Sequence, residues 1–194
     1  MSWMRLAKVA VFAAALAPLA VLVWEGLGGN LGANPIEHIT HATGDWTLRF
    51  LVLTLAVTPL RRLLRFPGLI RFRRMLGLFA FFYGCLHFLT FLWLDKFFDL
   101  GEMVKDVGKR PFITAGFTAF VLLIPLAATS TAGSIRRLGG RNWQRLHRLI
   151  YVSAVAGVVH YYWLVKSDVR LPLMYGSMVA ALLGWRAVAA FAKR

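Results

Sequence analysis

The chain has 194 residues, of which 59% are hydrophobic and only 16% are charged, and its apolar residues form long runs. This composition is typical of integral membrane proteins. The net charge of +15 does not indicate a nucleic-acid-binding protein, because the basic residues form clusters between the apolar runs and no single soluble stripe. A single cysteine, Cys85, excludes an intrachain disulfide and a thiolate cluster for zinc or iron–sulfur.

Six segments are predicted to span the membrane, since a spanning helix needs about 20 mostly apolar residues. In chain order they are Lys8–Trp24, Trp46–Leu60, Met75–Leu94, Phe112–Thr129, Leu149–Val165 and Leu171–Phe191. The sequence therefore predicts an all-α fold, a polytopic membrane bundle of six transmembrane helices in which residues 1–194 form a single domain. The second segment is short, so we expect its helix to begin earlier or to cross a locally thinned bilayer.

The first segment also has features of a signal peptide, because Arg5 and Lys8 precede an alanine-rich apolar stretch. We favour a retained first helix, since no clear cleavage site is followed by a soluble domain. Pro18 within this segment predicts a kink.

The distribution of Lys and Arg predicts the orientation, because cytoplasmic loops are enriched in both. One side of the predicted membrane holds 16 of the 23 basic residues, Lys193 and Arg194 among them, and the other side holds seven together with all eight acidic residues. Both termini are therefore predicted to be cytoplasmic. The third-to-fourth connection, Asp95–Arg110, then lies outside, and its mixed charges and apolar side chains predict a short surface helix or a docking surface for a partner.

Two histidines lie inside predicted spans, where ionisable groups are costly and usually functional. His87 follows Met75 by 12 residues and His160 follows His147 by 13. At about 1.5 Å per residue, both imidazoles reach nearly the same depth, roughly 20 Å from the cytoplasmic edge. Two histidines at one depth on parallel helices can provide both axial ligands of one haem. The alternative for each histidine alone is an interhelical hydrogen bond.

A glycine stands three residues before each of these histidines: Gly84 before His87 and Gly157 before His160. Helical side chains lean over the preceding turn, so a glycine there leaves room for a flat macrocycle. Glycine is frequent in membrane helices in any case, and this feature adds only modest support.

His147 stands at the cytoplasmic start of the fifth predicted helix and indicates a second cofactor site. On an ideal helix it is rotated about 140° from His160 and lies about 20 Å from it along the axis, a gap that a haem, flavin or quinone would shorten. Arginines at similar depth could bind a flavin phosphate or a haem propionate. They are Arg73, Arg74, Arg145 and Arg148. The alternative for each arginine is anchoring to lipid head groups.

Other polar motifs are weaker. His38 and His41, with Glu37 alongside, match a metal-ligand spacing, but we favour an ordinary loop or cap. We expect no Asp or Glu near the middle of any span, which disfavours a proton-coupled transporter. The sequence contains no dinucleotide-binding, P-loop or nucleophile motif, so it gives no indication of NAD(P)H binding.

Several motifs together resemble one bacterial family. They are Thr43-Gly44-Asp45-Trp46, Thr58-Pro59-Leu60, Arg73-Arg74-Met75-Leu76-Gly77-Leu78 through Tyr83 and His87, Trp93-Leu94-Asp95, Lys109-Arg110-Pro111, Thr129-Ser130-Thr131 through Ile135-Arg136-Arg137-Leu138-Gly139, and Trp143-Gln144-Arg145-Leu146-His147-Arg148-Leu149-Ile150-Tyr151 followed by His160. Over nearly its whole length the chain resembles the haem-binding subunits of the protein-methionine-sulfoxide reductase system, the MsrQ or YedZ family.

The resemblance implies a ferric reductase-like transmembrane haem domain without flavin and nicotinamide domains. It implies a multi-pass protein of the bacterial inner membrane that takes electrons from the quinol pool or a cytosolic flavin reductase. It would pass them to a periplasmic molybdopterin-containing methionine sulfoxide reductase subunit, for repair of oxidised envelope proteins. The family's histidines correspond to His87, His147 and His160, and its cofactors are haem b and FMN.

One departure from the wider superfamily affects the expected cofactor count. Oxidase-type relatives carry two histidines on each of two helices, whereas the third predicted helix here has only His87. One haem and a flavin near the cytoplasmic face therefore fit better than two bis-histidine haems. The leading hypothesis is an electron-transfer subunit with membrane lipid and protein partners and no nucleic acid. The alternatives are a self-contained ferric or quinone reductase, and a transporter or structural membrane anchor.

Overall fold

A computed structural model describes residues 3–192, and these residues form helices with short connections and no strand. The prediction of an all-α fold is confirmed. The α-helices are α1 (Trp3–Leu27), α2 (Pro35–Leu63), α3 (Ile70–Leu89), α4 (Leu100–Lys109), α5 (Pro111–Ala128), α6 (Ala132–Leu138), α7 (Gly140–Leu146), α8 (Leu149–Leu164) and α9 (Arg170–Phe191). A 3₁₀ turn, Pro67–Leu69, precedes α3, and a π-helical segment, Thr90–Asp95, continues it.

Four helical segments are long and apolar enough to cross a membrane: Trp3–Leu27, Pro67–Asp95, Pro111–Ala128 and Arg170–Phe191. They coincide with the first, third, fourth and sixth predicted spans, and the chain is a multi-pass membrane protein. The second and fifth predicted spans correspond to α2, whose polar residues lower its hydropathy, and to α8, which has 16 residues. Lys193 and Arg194, which the orientation argument assigned to the cytoplasmic side, lie outside the described residues.

Helix α2 begins at Pro35, eleven residues before the predicted start at Trp46, so the expected earlier start is confirmed. The Asn34 side chain caps the helix by accepting a hydrogen bond from the Glu37 N–H at 3.3 Å, and proline suits the first helical position. His38 and His41 therefore lie within a helix, and the expectation of a loop or cap for them was wrong. The sequence signal for the helix start, Asn34-Pro35, precedes both histidines.

The helices associate as two intimate pairs, α2 with α3 and α5 with α8. The core of the first pair is aromatic: the ring of Phe50 on α2 stacks on Phe79 and Tyr83 of α3, with centroids 5.5 and 5.4 Å apart. Helix α9 packs on both α8 and α2, and α1 lies against α2 and α3. The two pairs face each other, and His87 and His160 lie between them.

The buried side chain of Tyr83 connects α3 to α1. Its hydroxyl donates to the Ala15 carbonyl at 2.9 Å and accepts from the Leu19 N–H at 3.1 Å, two groups that lie one helical turn apart. Pro18, beside them, lies inside α1 where the sequence predicted a kink. A side chain that inserts into the backbone ladder is, like proline, a recognised cause of helix bending.

The third-to-fourth connection contains the predicted surface helix, α4, next to a buried lysine. Lys96 Nζ lies 2.7 Å from an Asp106 carboxylate oxygen, and Asp106 also pairs with Arg110 at 3.3 Å. The cationic neighbours lower the pKa of Asp106, Lys96 first, and the hydrogen bond to Asp106 raises the pKa of Lys96. Phe97 and Phe98 have φ angles of 47° and 64°, a strained conformation for bulky residues, and their side chains are exposed.

The Tyr83 hydroxyl should stabilise the α1–α3 contact measurably. We expect Tyr83→Phe to lower the free energy of unfolding in detergent by about 1–3 kcal/mol, because two backbone groups lose a buried partner. Tyr162→Phe, at an exposed ring on α8, is the matched control and should change stability little. Equal stability of both variants would contradict a structural role for the Tyr83 hydroxyl.

Candidate functional site

His87 and His160 meet between the two helix pairs. Their ring centroids are 6.0 Å apart and the rings are inclined at 71°. The equal depth expected from the helical rise is therefore observed. A metal–imidazole bond is about 2 Å long, so two imidazoles on opposite sides of one ion have ring centres about 6 Å apart. The spacing suits one iron bound between the two rings.

Each imidazole is oriented by a backbone carbonyl of the neighbouring helix. His87 Nδ1 lies 3.0 Å from the Thr40 carbonyl oxygen of α2, and His160 Nδ1 lies 2.7 Å from the Phe112 carbonyl oxygen of α5. A carbonyl can only accept, so in a neutral ring Nδ1 carries the proton and Nε2 keeps its lone pair. Metal-binding histidines commonly donate their other N–H to a carbonyl in this way. Both residues therefore fit axial ligation of a haem through Nε2.

The Thr90 side chain also contacts the backbone of His87. The Thr90 hydroxyl donates to the His87 carbonyl at 2.7 Å and lies 3.2 Å from the Thr40 hydroxyl, which also lies 2.8 Å from the Ile36 carbonyl oxygen. Thr40 thus contacts the imidazole through its carbonyl, and its hydroxyl lies beside the Thr90 side chain that holds the His87 backbone. The π-helical segment begins at Thr90, and such segments are frequent at functional sites.

Two glycines that sequence reasoning missed lie against the imidazoles. A Cβ atom on Gly44 would stand 3.0 Å from the His87 ring, and one on Gly116 would stand 2.7 Å from the nearest atom of the His160 ring. The two glycines predicted from their spacing to the histidines face other side chains. A Cβ on Gly84 would meet Phe120 at 3.6 Å, and one on Gly157 would meet Leu48 at 3.7 Å. The role of those two glycines in accommodating a macrocycle stays a prediction.

His147 lies between α7 and α8, apart from the His87–His160 pair. Its Nε2 is 3.1 Å from the Thr129 hydroxyl oxygen, and its ring stacks on Trp143 with centroids 3.9 Å apart. The Trp143 indole N–H donates to the Thr129 carbonyl at 2.9 Å. The loop that follows α5 and the start of α8 are thereby joined around this imidazole, at the end of α8 opposite His160.

Of the four arginines proposed from the sequence, only Arg73 is half-buried; Arg74, Arg145 and Arg148 are exposed. Arg73 lies within electrostatic range of His147, Tyr151 and Arg186. Arg186 was not among the predicted site residues, yet it donates to the Leu55 carbonyl at 2.6 Å and to the Tyr151 hydroxyl at 3.2 Å. Its Nε is buried without a hydrogen-bond partner. A cation inside the last span was the signal that could have identified it.

This arrangement places two guanidinium groups near one another at the His147 end of the bundle. Guanidinium groups bind carboxylate and phosphate oxygens with well-defined geometry. Arg73 and Arg186 could therefore hold the anionic group of a cofactor, a propionate or a phosphate, beside His147. The exposed arginines suit contact with lipid head groups.

The expectation that no acid lies near the middle of a span stays a prediction, but one carboxylate lies close to the imidazole pair. Asp45 on α2 follows Gly44, which touches the His87 ring. It stands one residue before Trp46, the predicted start of the second span. Asp45 pairs with Arg49 at 3.7 Å, and Arg49 Nε donates to the Tyr175 hydroxyl at 3.1 Å. The charge is thus balanced locally, as intramembrane charges usually are.

Comparison with known proteins reveals a family match. Residues 43–158 match the family described as "Ferric reductase like transmembrane component". Curated relatives named "Protein-methionine-sulfoxide reductase heme-binding subunit MsrQ" include one from Herminiimonas arsenicoxydans, 60% identical over 98% of this chain and 88% of the relative. Others come from Ralstonia nicotianae, 55% identical over 94% and 85%, and from Caulobacter vibrioides, 52% identical over 91% and 84%. No solved structure matches the chain.

The hydrogen bonds of Arg186 generate a stability prediction. We expect Arg186→Leu to lower the free energy of unfolding in detergent by about 1.5–3 kcal/mol, because a hydrogen bond from a charged donor contributes about that much. Arg62→Leu is the matched control: this arginine only faces the Trp185 ring, at 5.1 Å, and should contribute about 1 kcal/mol or less. A larger loss in the control would contradict the assignment.

Proposed function

The chain belongs to the MsrQ family of haem-binding subunits of protein-methionine-sulfoxide reductases, within the ferric reductase-like transmembrane proteins, and we propose that it carries electrons across the bacterial inner membrane through haem b. The haem would supply one-electron transfer at its iron. The role of this chain's residues is to ligate, orient and insulate that group. It acts as the electron-transfer subunit of a complex whose substrate is reduced elsewhere.

The observation that carries this proposal is the His87–His160 pair. The 6.0 Å separation of the rings and the two Nδ1 contacts with backbone carbonyls support axial ligation by both Nε2 atoms. Two imidazole ligands would leave no open position on a haem iron, which would favour electron transfer over oxygen chemistry. His87 lies eight residues before Asp95, the end of the π-helical segment, so this site would serve the outer leaflet.

We further propose a second cofactor at the inner end of the bundle, beside His147. FMN, or a second haem, would have its phosphate or propionate bound by Arg73, with Arg74, Arg145 and Arg148 nearby. The half-buried Arg73 close to His147 and Arg186 supports an anionic group at this place. A flavin there could pass electrons singly to the outer site.

The proposed donor is the quinol pool or a cytosolic flavin reductase, and the proposed acceptor is a periplasmic molybdopterin-containing methionine sulfoxide reductase subunit. Reduction of one methionine sulfoxide to methionine consumes two electrons and two protons and releases one water molecule. The relatives' name, which couples a haem-binding subunit to that reductase, supports the pairing. The outcome would be repair of oxidised envelope proteins.

We propose that α1, α2, α3, α5, α8 and α9 all span the membrane and that both termini are cytoplasmic. Their order and lengths support six crossings, and the excess of basic residues in the α2–α3 and α5–α8 connections supports the orientation. The first rival function is a self-contained ferric or quinone reductase. A transporter, the rival of another class, is disfavoured because Asp45 is paired with Arg49.

The haem proposal predicts a low-spin haem b spectrum in the purified protein. His87→Ala and His160→Ala should each abolish it, because each removes one axial ligand. Pyridine haemochrome quantification and absorbance spectra measure this, with His38→Ala, which removes a distant imidazole that contacts Glu25, as the matched control. Full haem in both ligand variants would refute the pairing, and a colourless wild-type protein would favour a transporter.

The same measurements with flavin quantification test the inner site. We expect His147→Ala to retain the signal of the outer haem and to lose the second cofactor. Loss of the outer signal as well would show that the two sites are not separate.

The six-span proposal predicts the location of the C-terminus. A green fluorescent protein fused after Arg194 should fluoresce, because it folds in the cytoplasm, and alkaline phosphatase at the same position should be inactive. Fusion of each reporter within the α4 connection should give the reverse pattern. An active phosphatase at the C-terminus would exclude an even number of spans with a cytoplasmic start.

A further inference from the structure

The same local arrangement occurs at both imidazoles. His87 Nδ1 lies 3.0 Å from the carbonyl oxygen of Thr40, and the residue four positions later on that helix is Gly44. His160 Nδ1 lies 2.7 Å from the carbonyl oxygen of Phe112, and the residue four positions later is Gly116. Each glycine is packed directly against the imidazole that its helix holds.

Helix geometry explains why a glycine is needed four residues after the accepting carbonyl. In an α-helix the carbonyl of residue i accepts the N–H of residue i+4 and keeps a second lone pair directed outward. The side chain of residue i+4 leans toward the N-terminus and covers the preceding turn, where that lone pair is exposed. Without a Cβ at i+4, a ring from the neighbouring helix can approach the carbonyl edge-on.

We propose that Gly44 and Gly116 are positioning residues that open the Thr40 and Phe112 carbonyls to the Nδ1–H groups of His87 and His160, and thereby set the orientation and basicity of both axial ligands. The inference rests on the proposed haem function. It adds two residues and two backbone carbonyls to the site, one set on α2 and one on α5. The ligand helices α3 and α8 carry the imidazoles, and their partner helices aim them.

The space between the glycine and the imidazole is smaller at Gly116 than at Gly44, so alanine substitutions at the two positions should differ in their effect. A methyl group on Gly116 would stand 2.7 to 2.9 Å from three ring atoms of His160, so that ring must move. A methyl group on Gly44 would stand 3.0 to 3.1 Å from His87, which a small shift of the ring could relieve. We therefore expect Gly116→Ala to be the more damaging change.

Loss of the hydrogen bond also has an electronic consequence. Donation of Nδ1–H to a carbonyl makes Nε2 a stronger electron donor, and a stronger donor stabilises the ferric state relative to the ferrous state. An alanine at either position should therefore raise the haem reduction potential. For a one-electron couple, a tenfold change in the relative affinity for the two states corresponds to about 59 mV.

The test compares Gly44→Ala and Gly116→Ala with Gly77→Ala in the purified, haem-loaded protein. Gly77 is the matched control, because a methyl group there would meet only Thr54 at ordinary contact distances of 3.6 and 3.9 Å. Haem content, the low-spin ferric electron paramagnetic resonance signal and the potential from redox titration are measured. We expect about 10- to 100-fold weaker haem retention in Gly116→Ala. Gly44→Ala should retain haem with a raised potential, and the control should match wild type.

A second measurement needs no bound haem. If the added methyl group destabilises the protein by displacing the imidazole, it should no longer destabilise a variant that lacks the imidazole. Gly116→Ala should raise the unfolding equilibrium constant about tenfold or more in the wild-type background, and should have little effect in the His160→Ala background. An equal cost in both backgrounds would show that Gly116 serves helix packing alone and would overturn the proposal for that residue.

The outcomes separate this inference from the proposed function. Wild-type potentials and spectra in both glycine variants, with haem still lost in His87→Ala and His160→Ala, would overturn the inference and leave the haem proposal intact. Haem retained in both histidine variants would refute the haem proposal itself. A raised potential in the control variant equal to that in Gly44→Ala would also overturn the inference.

Discussion

The rest of the structure depends on one constraint: a polar group in a hydrocarbon environment must find its partner inside the protein. Several side chains in the bundle meet it in one recurring way, by donating to a backbone carbonyl of a neighbouring helix. Tyr83 donates to Ala15, Ser153 to Ala119 and Arg186 to Leu55, at 2.9, 2.8 and 2.6 Å. The imidazoles of His87 and His160 follow the same rule. Each bond crosses between two helices, so satisfying the polar group also fixes the helix pair.

This constraint explains why the site lies between pairs of helices. The α2–α3 pair orients one imidazole and the α5–α8 pair orients the other, so each ring is held by a contact within its own pair. Aromatic packing joins the two pairs: Phe88 of α3 stacks on Phe120 of α5, with centroids 4.8 Å apart, and Phe81 stacks on Phe120 at 6.0 Å. Such rings bury a large apolar area between the pairs without adding polar groups.

The sequence predicted the features that depend on spacing along one helix and missed those that depend on rotation between helices. The equal depth of His87 and His160 follows from a constant rise per residue, and it was predicted correctly. Gly44 and Gly116 lie on other helices than the histidines they touch, so no periodicity links them. Apolar content alone places the start of α2 too late, whereas Asn34 and Pro35 mark the start by capping. The late start leaves Asp45 outside the predicted helix, although it follows Gly44, which lies against the His87 ring.

The His147 end of the bundle differs from the His87–His160 site in the kind of group it could hold. At the His87–His160 site each Nδ1 faces a backbone carbonyl and each Nε2 keeps a lone pair, which suits a metal ion. At the His147 end, Arg186 is bound on two sides while its Nε remains buried without a partner, and Arg73 adds a second positive charge nearby. Two adjacent cations repel, and an anion between them would relieve that repulsion. The two ends therefore offer opposite chemistry, lone-pair donors at one and positive charge at the other. By the helical rise, His147 and His160 are about 20 Å apart, a distance that a second bound cofactor would shorten for an electron.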